Sequence, residues 1–313
     1  MAVQNVGVLF QSGLKKVMAL GYNEEVTILD KVVNMGTTED EFVEWTGVAY
    51  PGGAEEKAKG EDMTYKDVRV EVPKRIFVRT LALGVRVYME DMEDDKYDVL
   101  SRLSDAVGRA HKVSEEMARA NLFNGAFLTA YRTGYDGKAL CAVDHPLQTQ
   151  YALATAQTTS ALAARTVTTW SNSAGTGTDL SYSTLTTGIA ALRRTVTREG
   201  EFTTIKPTIL LVPPELEATA YEITKSSDRP DTSNRAISGL TRWGLKIVTT
   251  PYLTDTNTWF LLADKHDLQF FRRKPMTIKQ RDAQGSWDAL IESVQRYATG
   301  FHDPRGVWGN SGV

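Results

Sequence analysis

The chain has 313 residues and a mass of 34.6 kDa, enough for one large or two modest domains with a core that needs no covalent staple. Lysine and arginine total 36 against 39 acidic residues, so there is no bulk positive charge to condense nucleic acid. One cysteine, Cys141, excludes an intrachain disulfide, and no run of about twenty apolar residues is present to span a bilayer. With no signal-peptide pattern at its start, the sequence reads as a soluble, cytosol-compatible protein.

Residues 17–20 and 26–33 are apolar patches broken by Gly21 and Asn23, which predicts a helix end followed by an extended arm. Residues 45–53 mix aromatics with turn formers and lead to a polar tip at 54–60. Val68, Val70 and Val72 alternate with Asp67, Arg69 and Glu71, the period of a strand with one wet face. Residues 75–89 are β-branched and aromatic and predict a second strand, with Gly84 as a bend or bulge; Pro73 suits an edge or corner. A two-stranded ribbon is marginal alone in water, so it must lie on the rest of the chain or on a neighbouring copy.

The clearest helix follows. An acidic run at 90–95 suits a helix start, and Leu100, Leu103, Val107, Ala110, Val113, Met117 and Ala120 then recur three or four apart. Arg102, Asp105, Arg109, Lys112, Glu115 and Arg119 take the other face. Continued to about Leu128, the helix is a rod of ~45 Å on which other elements pack. Serine and threonine make up about half of residues 155–187, a surface or interfacial excursion. A helix at 185–197, a strand at 208–212 and a helix at 215–225 opened by Pro213-Pro214 form a second unit. A polar segment at 226–239, strands at 245–250 and 259–263, and a tail of strand-like pieces complete an α/β or α+β chain in two lobes.

The tightest polar cluster is Asp136-Gly-Lys-Ala-Leu-Cys141-Ala-Val-Asp144-His145-Pro146. It admits a nucleophilic reading, Cys141 with His145 as base and Asp144 as orienter, that is, a cysteine-dependent hydrolase. No nucleophile elbow or cysteine-enzyme signature surrounds these residues, and a cysteine in an apolar run also reads as a small buried side chain. Asp144 and His145 lack the further ligands a metal needs, since His111, His266 and His302 show no ligand spacing. No phosphate-binding glycine loop occurs, so no cofactor is expected. Arg193-Arg194 and Arg272-Arg273-Lys274 could meet phosphates or be solvated. What remains is an arm, a long helix and a polar loop, which suggest association rather than catalysis.

The order of elements resembles the major capsid protein of tailed double-stranded-DNA phages, with the Hong-Kong-97-type fold, and is most similar to the Mu-like major head subunit group. The resemblance rests on the stretches from Val68 to Phe77 and Val85 to Met92, on the helix end Met117-Ala-Arg-Ala-Asn-Leu-Phe-Asn-Gly, and on Tyr135-Asp-Gly-Lys-Ala-Leu-Cys-Ala-Val-Asp-His-Pro. Leu211-Val-Pro-Pro-Glu-Leu-Glu, Pro251-Tyr-Leu-Thr-Asp, Trp259-Phe-Leu-Leu-Ala-Asp and Gly300-Phe-His-Asp-Pro-Arg-Gly extend it over about residues 41–309.

The resemblance implies an α+β fold: an N-terminal arm (1–40), an extended loop (41–82), a peripheral domain with a spine helix (83–182), an axial domain (183–256) and a return to the peripheral domain (257–313). It implies a structural protein, not an enzyme, that self-assembles as pentamers and hexamers into an icosahedral head enclosing packaged DNA, in the virion after assembly in the bacterial cytoplasm. Trp45, Tyr50, Lys57, Lys59, Tyr65 and Lys66 of the extended loop would contact a neighbour, and one of those lysines could crosslink to it. Ser227, Asp228, Arg229, Asp231 and Asn234 would lie at the axial tip, and Arg193, Arg194, Arg272, Arg273 and Lys274 could face DNA. With only about 40 residues before the loop, scaffolding is expected from a separate protein, alongside a maturation protease and a portal, with no membrane partner. An encapsulin-type compartment enclosing cargo enzymes shares the fold and is the nearest alternative.

Overall fold

A computed structural model describes residues 16–23, 27–45, 57–63, 65, 73–88, 90–91, 94, 99–147, 169–197, 202–226, 237–283 and 288–312. The chain divides into two compact units, the first gathering residues 1–43, 76–120 and 269–299, the second residues 44–75, 121–268 and 300–313.

The first unit is a sheet with helices. Its strands are β1 (Asn34–Thr37), β4 (Arg79–Val87), β10 (Gln269–Asp282) and β11 (Ala289–Gly300), in the order β1-β10-β11-β4. β1 runs parallel to the start of β10, while β4 is antiparallel to β11 in unbroken register from Ala289↔Val87 to Tyr297↔Arg79. The strand expected at 75–89 is therefore real, but it lies on its own chain. It continues straight through Gly84, opposite Glu292, with no bulge. Its break falls at Val78 instead, between β3 (Lys74–Phe77) and β4, where the Val78 amide donates to Glu41 O at 2.9 Å. β3 pairs with β2 (Phe42–Trp45). The strand expected around 68–72 lies outside the described residues.

Among the described residues, two helices of more than one turn belong to this unit. Residues 16–23 form α1. The extended arm expected at 26–33 instead contains a short 3-10 turn, Leu29–Lys31, ahead of β1. The long helix, α2, spans Val99–Asn124, or about 39 Å at 1.5 Å per residue. It ends four residues before the expected limit and has no acidic residue in its first turn. α1 crosses α2 at two glycines. A Cβ at Gly108 would come within 2.9 Å of the Tyr22 amide nitrogen, and one at Gly21 within 2.6 Å of Asp105 O. Only glycine permits backbones this close.

The second unit holds the short antiparallel pair β5 (His145–Pro146) and β6 (Thr169–Trp170) and a four-stranded sheet in the order β12-β9-β7-β8: β7 (Pro207–Val212), β8 (Lys246–Thr249), β9 (Trp259–Ala263) and β12 (Val307–Asn310). β7 and β8 are parallel, and the other pairs antiparallel. Helices α3 (Tyr182–Arg193) and α4 (Glu217–Lys225) contribute Leu185, Ile189, Leu192, Ala220 and Ile223 to one core with Leu210, Val212, Trp259, Leu261 and Trp308. Ser181 starts α3 with a reciprocal cap, accepting from the Thr184 amide at 3.2 Å while Thr184 Oγ1 accepts from the Ser181 amide at 2.9 Å. All five residues of β9 are buried because its other face is covered too, Phe260 packing on Phe123 and Phe127.

Candidate assembly surface and its buried supports

α2 leaves part of its apolar pattern exposed. Leu103 is 38% exposed and Met117 50%, with Ala106 and Ala110 exposed between them. The covered face carries Ser104, Val107, Gly108, His111, Glu115, Glu116, Arg119 and Ala120. Glu115 and Arg119, placed by the spacing on the face opposite the apolar row, are buried. Buried charge requires pairing, and the structure supplies it.

Arg119 is fully buried and reaches three carboxylates: Glu116 at 2.7 Å, Asp30 at 3.0 Å and Glu115 at 3.4 Å. Its guanidinium lies 4.2 Å from the Phe270 ring centroid. Glu115 also accepts from Arg272 at 2.8 Å and from the Tyr22 hydroxyl at 2.7 Å, and Glu116 from the Leu29 amide at 3.2 Å. This cluster fastens α1 and the 3-10 turn to α2. Burial pushes the Glu116 carboxyl up from its ordinary range, Arg119 only partly offsetting it. Burial and the bond to Glu115 likewise raise the Tyr22 phenol.

The rest of the buried face of α2 rests on a polar row along β11. Ser293 Oγ donates to Leu83 O at 2.9 Å and so accepts from His111 Nε2 at 2.7 Å. Gln295 Nε2 donates to His111 O at 3.0 Å and the Tyr297 hydroxyl to Ser114 O at 3.1 Å. Desolvation holds the His111 imidazole below its ordinary value, favouring the neutral ring that this row accommodates.

Of the extended-loop residues singled out from the sequence, Lys57 and Lys59 are exposed, and Tyr65 is 90% exposed beside Met63 at 69%. Trp45 is half-buried and stacks on His302 of its own chain with centroids 6.3 Å apart. Tyr50 and Lys66 lie outside the described residues, as do Ser227, Asp228, Arg229, Asp231 and Asn234. Arg193 and Arg194 are exposed at the end of α3, with Arg193 5.0 Å from the Trp243 ring centroid. Lys274 is exposed on β10 and Arg273 half-buried, while Arg272 turns to Glu115.

The cluster at 136–146 forms a second buried hub. His145 is fully buried, with Nδ1 2.6 Å from Asp136 Oδ2 and Nε2 2.9 Å from Asn172 Oδ1. It stacks on Trp170 at 4.5 Å. Burial works against the Asp136 charge, but bonds from His145 and the Lys138 amide outweigh it and hold the carboxyl below its usual range. Asp144, the expected orienter of the imidazole, pairs instead with Lys138. Cys141 is buried against Gly309, and desolvation pushes its thiol up, away from the nucleophilic thiolate. With both ring nitrogens of His145 engaged, the Cys141–His145–Asp144 triad is not assembled.

This hub joins stretches far apart in sequence. The Tyr135 amide donates to His302 O at 3.0 Å. Arg305 donates to Val196 O at 2.8 Å and to the Tyr135 hydroxyl at 3.0 Å. Sequence reading missed Asn172, Arg305 and the Arg119 cluster. For the last, a signal existed: two adjacent acids three and four residues before an arginine share one helix face.

A family model described as phage capsid protein matches residues 71–310. No curated protein matches the sequence significantly. The capsid of the cyanophage P-SCSP1u superposes with a TM-score of 0.57 at 11% identity, over 92% of this chain and 89% of that one. The virus-like particle from Pyrococcus furiosus gives 0.54 at 12% identity, over 96% and 99%. The capsid of the Myoviridae phage XM1 gives 0.53 at 14%, over 93% of each chain. Identities this low speak for the fold, and the family match speaks for membership. A chain with a long ion-clamped helix, an exposed apolar row and a capsid-like α+β fold throughout thus belongs to the phage capsid protein family, as a major capsid protein of the Hong-Kong-97-like fold whose copies form the icosahedral shell.

Proposed function

We propose that the shell closes through one repeated contact, in which the exposed limb bearing Met63 and Tyr65 on one copy docks on the Leu103–Met117 row of α2 in the next. The supporting observation is that row: Leu103, Ala106, Ala110 and Met117 are exposed together on a helix whose covered face buries Glu115, Glu116 and Arg119. Covering a tyrosine ring removes about 150–250 Å² from water, roughly 4–6 kcal/mol before the costs of ordering and association. Repetition around closed rings turns a small net gain per contact into a stable particle. Tyr50, and Trp45 where it is not held by His302, would extend the contact, and Lys57, Lys59 or Lys66 would be the donors of any crosslink.

Residues 227–234 are assigned to the axial tip. Arg193, Arg194, Arg273 and Lys274 are assigned to screening packaged DNA without reading its sequence, Arg272 adding charge already shared with Glu115. A separate scaffolding protein, a maturation protease and a portal complete the assembly, which takes place in the bacterial cytoplasm. The 136–146 motif supports placement in the Mu-like group. The family match supports a structural role, and Cys141, the nucleophile of the cysteine-hydrolase reading, is buried with its thiol pushed up by desolvation. Met117→Asp tests the contact: it leaves the protomer folded, since the side chain is half exposed, and should abolish particles in negative-stain micrographs. Normal particles from Met117→Asp would rule this docking surface out.

A further inference from the structure

The hydrogen bonds around His145 are fixed from both sides of the ring. Asn172 Nδ2 donates to Leu140 O at 2.7 Å and to Pro304 O at 3.2 Å, using both amide hydrogens. Asn172 Oδ1 accepts from the Ala142 amide at 2.8 Å. Turning the amide over would set its oxygen against two carbonyls and its hydrogens against an N–H, so its orientation is fixed. Oδ1 therefore faces His145 Nε2 as an acceptor. On the other side of the ring, Asp136 Oδ2 faces Nδ1, and Asp136 Oδ1 already accepts from the Lys138 amide at 3.0 Å. Both ring nitrogens meet acceptors, and a neutral imidazole has only one hydrogen to give.

We infer that His145 is a proton-operated latch: as the imidazolium it fastens the 136–145 loop to Trp170–Asn172 and, through Asn172, to Pro304, and on losing one proton it must release one of its two acceptors. The buried surroundings suit a cation. Asp136 lies on one side, the Trp170 ring is stacked 4.5 Å away, and the Asn172 carbonyl dipole closes the other end. Lys74, bonded to the Thr133 hydroxyl at 2.9 Å, feels the Asp136 charge, and four other charged groups lie nearby. Lys138 and Asp144 pair with each other, and Arg305, over Trp170 at 5.7 Å, is bound to Asp303 at 2.8 Å. Asp136 is the carboxylate in contact with His145. Because Asn172 holds Leu140, Ala142 and Pro304 together, release at His145 frees the loop and the segment entering β12 at once.

The latch is a property of this unit and stands whether or not the docking surface proposed above is correct. Magic-angle-spinning NMR of the full-length protein labelled with 15N-histidine tests it, the His145 signals being those that vanish in His145→Gln. At neutral pH the two ring nitrogens should show the closely spaced shifts of an imidazolium, each with an attached proton. As pH is raised, the loss of that pattern should coincide with a gain in amide hydrogen exchange, beyond the intrinsic pH effect, in residues 140–146 and 302–306 together. In Asp136→Asn the imidazolium pattern should be absent at neutral pH. The widely split shifts of a neutral ring in the folded wild type would overturn the inference. So would loss of the proton with both segments still protected. If His145→Gln does not fold, the ring signals are assigned through the wild-type backbone resonances of His145, so both readings stand on the wild type alone.

Discussion

Replacing Arg119 by methionine removes the one cation shared by Glu115, Glu116 and Asp30 while keeping most of the side-chain volume. Glu115 retains Arg272 at 2.8 Å and the Tyr22 hydroxyl at 2.7 Å, so it stays compensated. Glu116 keeps only the Leu29 amide among its described polar partners, and it is 1% exposed. Breaking a fully buried pair in this way costs about 3–5 kcal/mol, which includes the lost stacking on Phe270. Against a domain stability of about 5–15 kcal/mol, that is a large fraction. Urea unfolding of the full chain, held below the concentration at which it assembles, should show the midpoint falling with little change in slope. Adding Glu116→Gln to Arg119→Met should restore most of the loss, since no uncompensated charge is then left buried. A single variant costing under about 1 kcal/mol, or a double variant less stable than the single, would refute the ionic-clamp reading.

Gly108→Ala should destabilise the first unit by about 1–3 kcal/mol, because the new methyl meets α1 backbone rather than a movable side chain; hydrogen exchange of residues 16–23 should rise selectively. The pH dependence combines two signs. The depressed value of His111 gives stability that is complete above the ordinary imidazole value of about 6.5 and declines as pH falls through it. The raised value of Glu116 acts oppositely: the folded chain holds that proton more tightly, so this contribution is complete below about 4.3 and is lost as pH rises through the folded value. Denaturation midpoints for His111→Gln should therefore lose the decline below about pH 6.5, and those for Glu116→Gln the loss on the alkaline side of the carboxylate range. Unchanged profiles would remove both residues from the linkage.

The position of the long helix was legible from its three-four spacing, and its covered face was not. Hydrophobic periodicity reports which face is apolar, not what covers it. Here Leu103 and Met117 look outward while paired charges fill the interior. The pairing of β4 with β11 joins residues such as Arg86 and Asp288, 202 positions apart, and no local pattern encodes a partner that distant. The short stretches that carried the family resemblance were informative for a physical reason. Asp136, His145, Arg305 and the His302 carbonyl belong to one connected polar arrangement. Cys141 was misleading because nearness in sequence to His145 says nothing of the ring's direction, which Asp136 and Asn172 set.

The central claim is that copies of this chain complete one another in a closed shell. Sedimentation velocity of the purified full-length protein, with the same samples viewed by negative stain, tests it most directly. A fast, narrow boundary of isometric hollow particles, giving way to slow protomers in Met117→Asp, is the predicted result. A wild-type chain that stays a single folded protomer at the highest attainable concentration would contradict the account.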